Sequence, residues 1–266
     1  MIISFIILAW NSEKYLANCL DSIMSKCGAE QLDYEIIVID NGSKDTTLSI
    51  LRDYRAKHPQ RLHSIELKYN RGTTYPRNVG FKKAKGKYLC VLDSDTELGA
   101  GALREIIDRL EKQREIGIIA PRLVLGNKSI QNSVKRFPTF WDKLIKIPAV
   151  IFRKEVPARD FYHDFPFSAE RFVDSAISAC WFFDKELLET IGGLDEKIFY
   201  APEDLDYCLR VRKAGRKILY YPGLTVLHHT QWISHRSPFS KVSLSHFWGL
   251  LYYYRKHGGW FSRPEL

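Results

Sequence analysis

The chain has 266 residues, 45% of them apolar and 27% charged, enough for one sizeable core or two small ones and unlike a disordered or fibrous protein. Its 40 Lys and Arg against 31 Asp and Glu leave a formal charge of +9, which speaks to partners rather than to fold: nucleic acid, a nucleotide-sugar diphosphate or the cytoplasmic face of a membrane. The five cysteines (Cys19, Cys27, Cys90, Cys180 and Cys208) are odd in number and form no C-x-x-C pair, which argues against zinc and for reduced, buried thiols in a cytosolic protein.

Met1 leads directly into an apolar run with no basic segment and no small-residue cleavage site, so no secretory leader is expected. That run, 2–8, predicts a first strand and 13–24 an amphipathic helix. Residues 35–39 predict a second strand, 46–57 a helix, 62–67 a third strand and 74–85 a helix. A fourth strand over 87–92, a helix over 100–114 and a strand over 116–120 complete a strand–helix alternation that implies a parallel sheet in an α/β fold. In such sheets ligands bind beyond the carboxyl ends of the strands. Polar residues stand at those ends: Asn11-Ser12, Asp40-Asn41 and Asp93-Ser94-Asp95. From Pro121 the alternation stops. Residues 126–172 are basic and aromatic, with Pro138, Pro148, Pro157 and Pro166 breaking long elements. Regularity returns with a strand over 175–183, a short helix over 185–191 and a helix over 203–214 that Gly215 caps. Strands follow over 217–221 and 225–228. The tail over 241–257 is helical, with Leu244, Phe247, Trp248, Leu251 and Tyr252 on an apolar stripe. Neither the aromatic stretch Phe247 to Tyr254 nor the N-terminal run is long enough to cross a bilayer.

Five constellations could carry chemistry. Asp93 and Asp95, two apart at a strand end, would face one spot in an extended chain, and two converging carboxylates repel unless a proton or a cation lies between them. A hard divalent ion that also holds a diphosphate answers this economically, although Asp-Ser-Asp is also turn chemistry. Asp40 at the second strand end is followed by the flexible Asn41-Gly42-Ser43. Arg77 at a helix start suits phosphate or a base edge, although lone arginines more often pair on surfaces. Glu203, Asp204 and Asp206 open a helix, where acids are favoured for dipole reasons alone, yet three within four residues exceed what capping requires. Val226-Leu227-His228-His229 ends a strand, so alternation lets at most one histidine face the site; beside a carboxylate-bound metal a neutral imidazole is a natural ligand.

In order and spacing these motifs resemble a family 2 glycosyltransferase of the GT-A fold. The matching residues are Ile7 to Ser12, Val38 to Ser43, Asn70-x-Gly72, Arg77-Asn78-x-Gly80, Leu92 to Asp95, Ile191 to Glu196 with Phe199, and Glu203 to Arg210. Gly215, Tyr221-Pro222 and Val226-x-His228 complete the set, and the later half is most similar to the rhamnosyltransferase-like branch. Tyr75-Pro76 departs from the family, where small residues are commoner. The resemblance implies a Rossmann-like, mostly parallel central sheet flanked by helices, with an acceptor-side subregion and a C-terminal helix. It implies a domain over 1–229 (nucleotide half 1–120, acceptor half 121–229) and a helical tail over 230–266. By position, Asp40 would pair with a uracil or thymine edge, with Asn41 beside it. Ala9, Trp10, Asn11 and the strand end they form would pack around base and ribose, and Arg77 would help hold the nucleotide. Asp93, with Ser94, would contact the ribose or the metal. Asp95 would ligate Mg²⁺ or Mn²⁺, and His228 would complete that site. Asp204 would be the general base of an inverting displacement, with Glu203 orienting the acceptor.

The expected donor is then a dTDP- or UDP-sugar, rhamnose or another hexose. The expected acceptor is a glycan or a polyprenyl-diphosphate-linked sugar in bacterial surface polysaccharide synthesis. Lys143, Lys146, Arg153 and Lys154 beside Trp141, Ile147, Ile151 and Phe152 suit an anionic membrane interface, so a cytoplasmic enzyme peripheral to the inner membrane face is expected; an ordinary solvated helix is the alternative. Two other classes compete. A sugar-nucleotide nucleotidyltransferase would want a Gly-rich phosphate loop near the N-terminus, and residues 9–14 contain no glycine. A non-catalytic nucleic-acid-binding protein would explain the charge, but no recognisable module is present and the basic residues are dispersed.

Overall fold

A computed structural model describes residues 1–145, 160–162, 164–230 and 241–264. The first half alternates strand and helix: β1 (Ile3–Ala9), α1 (Leu16–Ala29), β2 (Tyr34–Asp40), α2 (Thr47–Lys57), β3 (Leu62–Glu66), α3 (Thr74–Lys83), β4 (Tyr88–Asp93), β5 (Thr96–Leu98), α4 (Leu103–Lys112) and β6 (Ile116–Leu125). The second half is β7 (Val134–Lys135), α5 (Phe140–Leu144), β8 (Arg171–Val173), β9 (Ser175–Ala176), β10 (Cys180–Asp184), α6 (Glu186–Ile191), α7 (Glu203–Lys213), β11 (Lys217–His228) and α8 (Lys241–His257).

The main sheet runs β3-β2-β1-β4-β10-β6-β11-β5, with β8 on the side of β11. β1, β2, β3 and β4 pair in parallel, as do β6 and β11, and β10 lies antiparallel between β4 and β6. Burial on both faces explains why β2 (YEIIVID) reads as one continuous apolar run: all seven of its residues are buried. Alternate residues feed two cores. Phe5, Ile7, Ile36, Val38, Cys90 and Leu92 pack with α1, α2 and α4. Ile6, Ile37, Ile39, Leu89 and Val91 pack with α3, α6, α7 and α8. On α4 the spacing Leu103, Ile106, Ile107, Leu110 places one stripe on the sheet.

Several boundaries differ from the sequence expectation, each for a packing reason. The strand expected over 175–183 breaks at 177–179. That break parts β9, which pairs with β7, from β10, which joins the main sheet. The strands expected over 217–221 and 225–228 are one strand, β11, whose register against β6 shifts between Tyr221 and Thr225. The first helix begins at Leu16, after a turn over 13–15, and runs on to Ala29. The apolar stripe on α8 faces outward: Leu244, Phe247 and Trp248 are 57%, 41% and 60% exposed, while Tyr253 and Tyr254 are fully buried. The five cysteines are free and buried. Among the described residues no helix is long and apolar enough to cross a membrane.

Candidate active site

A cavity of about 460 Å³ opens at the carboxyl ends of β1, β2 and β4. Trp10, Asn41, Arg77, Asp93, Ser94, Asp95, Glu203, Asp204 and His228 all line it, so most of the residues singled out from sequence share one chamber. Asn11, Ala9 and Asp40 do not line it. Ala9 is buried one residue behind Trp10, and its carbonyl accepts from the Asn41 amide (2.8 Å). Asn11 is exposed in a turn with φ 49°, where its side chain accepts from the Lys44 amide (2.8 Å). Asp40 is 1% exposed. Its Oδ2 accepts from the amides of Gly42 and Ser43 (both 3.1 Å), while its Oδ1 is buried with no partner. A buried carboxylate oxygen without a donor is costly, and a ligand N–H would satisfy it.

The acidic pair converges by a different route from the extended chain expected. β4 ends at Asp93, residues 94 and 95 turn, and β5 departs antiparallel to β11, pairing Thr96 with His228. The Thr96 hydroxyl donates to the Asp93 carbonyl (2.7 Å) and the His229 amide to the Asp95 carbonyl (2.8 Å). The turn therefore leaves both carboxylates beside His228. One donor atom each from Asp93, Asp95 and His228 lie within 4.8 Å of one another, and His228 Nε2 stands 3.5 Å from Asp95 Oδ1. His228 Nδ1 contacts Gln131 Oε1 at 2.8 Å. With Nδ1 held by the Gln131 amide, Nε2 is the ring nitrogen turned toward the carboxylates, the position from which a histidine binds a metal. Burial lowers the His228 pKa, but the Asp95 bond and the charges of Asp95 and Asp93 carry it above the ordinary value. Two carboxylate oxygens and one imidazole nitrogen suit Mg²⁺ or Mn²⁺. His229, on the opposite face, stacks on Tyr15 and bonds Glu97 (2.6 Å).

Arg77 is 2% exposed and links both halves of the site. Its Nη2 donates to Asp93 Oδ1 (2.6 Å), and its Nη1 to Glu203 Oε1 (3.1 Å) and Ser178 Oγ (2.9 Å). Ser178 in turn donates to Glu203 (3.0 Å). The guanidinium is thus committed to Asp93, Glu203 and Ser178. Burial and the neighbouring Asp95 raise the Asp93 pKa against the pull of Arg77. Glu203 is pushed up to about 7, by burial first and then by Asp204, with Arg77 opposing. Asp204 is half-buried, and one of its oxygens accepts from the Leu205 amide (2.8 Å). Ser94 Oγ lies 2.7 Å from Ser12 Oγ, tying the acidic turn to the end of β1.

The loop over 70–74 holds the other wall. Asn41 Nδ2 donates to the Gly72 carbonyl (2.8 Å), and Thr73 and Thr74 donate to carbonyls of Ile198, Phe199 and Tyr200. Gly72 has φ 80°, and a Cβ there would lie 1.9 Å from the Phe199 carbonyl, so glycine is required on both counts. Tyr75 packs on Arg71, whose guanidinium lies 4.1 Å from the ring centroid; the Tyr-Pro departure therefore makes a local cation–π contact. Sequence reading missed Gln131, Ser178 and His246. Gln131 lies in the aperiodic segment and Ser178 in what reads as a strand. His246 is one turn from residues that read as an apolar stripe.

The model of a family described as "Glycosyl transferase family 2" matches residues 4–192. The chain belongs to Glycosyl transferase family 2. This family 2 chain is 40% identical over 104 residues to a poly(ribitol-phosphate) beta-glucosyltransferase of Bacillus spizizenii, a match covering 39% of this chain and 16% of that one. It is 24% identical over 178 residues to an N-acetylglucosaminyl-diphospho-decaprenol L-rhamnosyltransferase of Mycobacterium tuberculosis, covering 66% and 58%. It therefore spans only part of these relatives. Among solved structures, GalNAc-T7 with UDP, GalNAc and Mn²⁺ superposes with a TM-score of 0.70 at 19% identity, covering 91% of this chain and 47% of that one. Residues 1–349 of TarS from S. aureus, in complex with UDP-GlcNAc, superpose with a TM-score of 0.60 at 19% identity, covering 89% and 61%. The fold is GT-A.

Proposed function

We propose that this family 2 chain transfers a sugar from a UDP- or dTDP-sugar to a phosphate-linked acceptor of bacterial surface polysaccharide, inverting the anomeric centre in one displacement. One observation carries the reading: Asp93, Asp95 and His228 bring ligand atoms within 4.8 Å of one another in the same cavity that Asp204 lines. The relatives' printed substrates support it, being poly(ribitol phosphate) and a diphospho-decaprenol-linked sugar, and so do the UDP and UDP-GlcNAc bound by the structural neighbours.

In this reading the unpartnered Asp40 Oδ1 accepts the N3–H of uracil or thymine, and Trp10 and Asn41 bound the base and ribose. Asp93, Asp95 and His228 would hold Mg²⁺ or Mn²⁺, which when bound would supply charge neutralisation for a departing diphosphate. Arg77 fixes the Asp93 carboxylate from behind. Asp204, on the first turn of α7, takes the proton of the attacking acceptor hydroxyl. Glu203, anchored by Arg77 and Ser178, fixes the adjoining backbone and orients the acceptor. We further propose that the protein works at an anionic membrane surface, with the exposed Leu244, Phe247, Trp248 and Trp141 in contact with lipid. Lys143 is paired with Asp160 (3.0 Å), and Lys146, Ile147, Ile151, Phe152, Arg153 and Lys154 lie outside the described residues.

A panel of UDP- and dTDP-sugars with Mg²⁺, Mn²⁺ or EDTA, scored by donor hydrolysis and thermal shift, tests the reading. Metal-dependent hydrolysis of at least one donor, lost in Asp95→Asn and His228→Ala, is expected. Binding of none of them, with metal present, overturns it.

A further inference from the structure

Helix α8 lies beyond the family-matched span, yet it holds part of the site's wall. The segment between Asp195 and Asp206 supplies Phe199, Tyr200, Ala201, Glu203 and Asp204 to the cavity. α8 grips that segment at both ends and in the middle. One ammonium serves both ends: Lys256 Nζ stands 2.7 Å from Asp195 Oδ2 and 2.7 Å from Asp206 Oδ1. The Tyr252 hydroxyl donates to Asp195 Oδ2 (2.9 Å), and His257 Nε2 meets Asp206 Oδ1 at 2.8 Å. In the middle, the Gly249 backbone rests so closely on the Ala201 carbonyl that an added Cβ would lie 2.1 Å from it. From the start of α3, Thr73 and Thr74 donate to the carbonyls of Tyr200 and Ile198 (both 2.8 Å).

We propose that Lys256 is a positioning residue for glycosyl transfer: by bridging Asp195 and Asp206 it fixes the chain between them and so sets where the Asp204 carboxylate meets the attacking hydroxyl. The inference rests on the glycosyl-transfer reading above. Asp204 accepts from the Leu205 amide of its own helix (2.8 Å), so the α7 backbone determines where its carboxylate stands. Misplacing a reacting group by about 1 Å can cost about 10²-fold in rate, so a modest relaxation of this segment is enough to be seen. Exposed ion pairs hold little because water screens them, but Asp206 is fully buried and its side of the bridge is screened less. Without Lys256, Asp206 keeps Arg210 and His257, and Asp195 keeps Tyr252. Loss of the ammonium therefore uncouples the two ends without stripping either carboxylate of partners.

UDP-glucose, UDP-N-acetylglucosamine and dTDP-rhamnose, each with Mn²⁺ and with water as the acceptor, serve as probes. Lys256→Met keeps the reach of the side chain and removes its charge. It should lower kcat for the hydrolysed donor about tenfold, while donor KM and the Kd for UDP stay within about twofold and UDP binding stays stoichiometric. Lys256→Arg, which can also bridge two carboxylates, should recover most of the loss. The deciding comparison is made in Asp204→Asn. There the same Lys256→Met change should cost less than about twofold, because the group it positions is gone. A tenfold loss in that background too would show that Lys256 acts on the fold at large and would overturn the proposal. Wild-type kcat in Lys256→Met, or a fall in UDP binding that matches the fall in kcat, would overturn it as well. These outcomes leave the glycosyl-transfer reading standing. Wild-type protein that hydrolyses none of the three donors would sink that reading, and the proposal with it.

Discussion

At the residue scale, neighbouring acids have been given separate environments. Glu203 and Asp204 are adjacent, but Glu203 is buried against Arg77 and Ser178 while Asp204 is half-buried and faces the cavity. If Asp204 is the base, Asp204→Asn should fold and bind UDP with Mn²⁺ yet turn over at least about 100-fold more slowly. Near-normal turnover would remove it from that role. Glu203 gives a stability signal that needs no substrate. Its pKa is raised from 4.5 to about 7, so between those values the folded state keeps a proton that the unfolded chain has released. Stability contributed by that proton is full below pH 4.5 and is lost as pH rises toward 7. In EDTA, wild-type protein should therefore lose Tm relative to Glu203→Gln between about pH 5 and about pH 7.5. A difference independent of pH would show that Glu203 titrates normally.

Among the elements, α7 and α8 act as a pair. Asp206 gathers Arg210 Nε (2.9 Å), Lys256 and His257 around one buried carboxylate. Burial opposes its charge, but the His257 bond, Arg210 and Lys256 prevail and hold its pKa down to about 2. Asp206→Asn strands the Arg210 and Lys256 cations. Complete removal of a buried partner costs about 3–5 kcal/mol, and here Lys256 and Arg210 keep some water, so a loss of about 2–4 kcal/mol in urea unfolding is expected. A loss below about 1 kcal/mol would mean the cluster is solvated in solution. The same contacts were hard to read in the sequence. Asp206 reads there as one more first-turn acid, and the basic end of α8 as a favourable complement to its dipole. Only their approach across 50 residues makes them one cluster.

For the whole molecule, charge and exposed apolar surface are the properties that matter. A chain of charge +9 that leaves Leu244, Phe247 and Trp248 in water should sediment with vesicles containing phosphatidylglycerol at low salt and much less at about 0.5 M NaCl. Trp248→Ser with Leu244→Ser should abolish the binding without lowering Tm, because both side chains are already exposed. Undiminished binding by the double variant would place the membrane contact elsewhere.

The parallel sheet was legible in the sequence because strands buried on both faces must be apolar throughout, as β2 is, and because strand ends must be polar where a cleft opens. That Asp93, Asp95, Asp204 and His228 line one cavity was legible for the same reason, since each follows an apolar run or opens a helix with more charge than capping needs; Asp40 is buried outside that lining. Tertiary structure alone decided what joins them. Gln131 orients His228 from 97 residues away, Ser178 and Arg77 tie Glu203 to Asp93, and β5 turns back on β11 to set Asp95 beside His228. The outward face of α8 was decided there too, because apolar periodicity marks a stripe and not what covers it. Periodicity and residue type are local and were written in the chain. Convergence of distant side chains depends on register and loop docking, which local sequence does not encode.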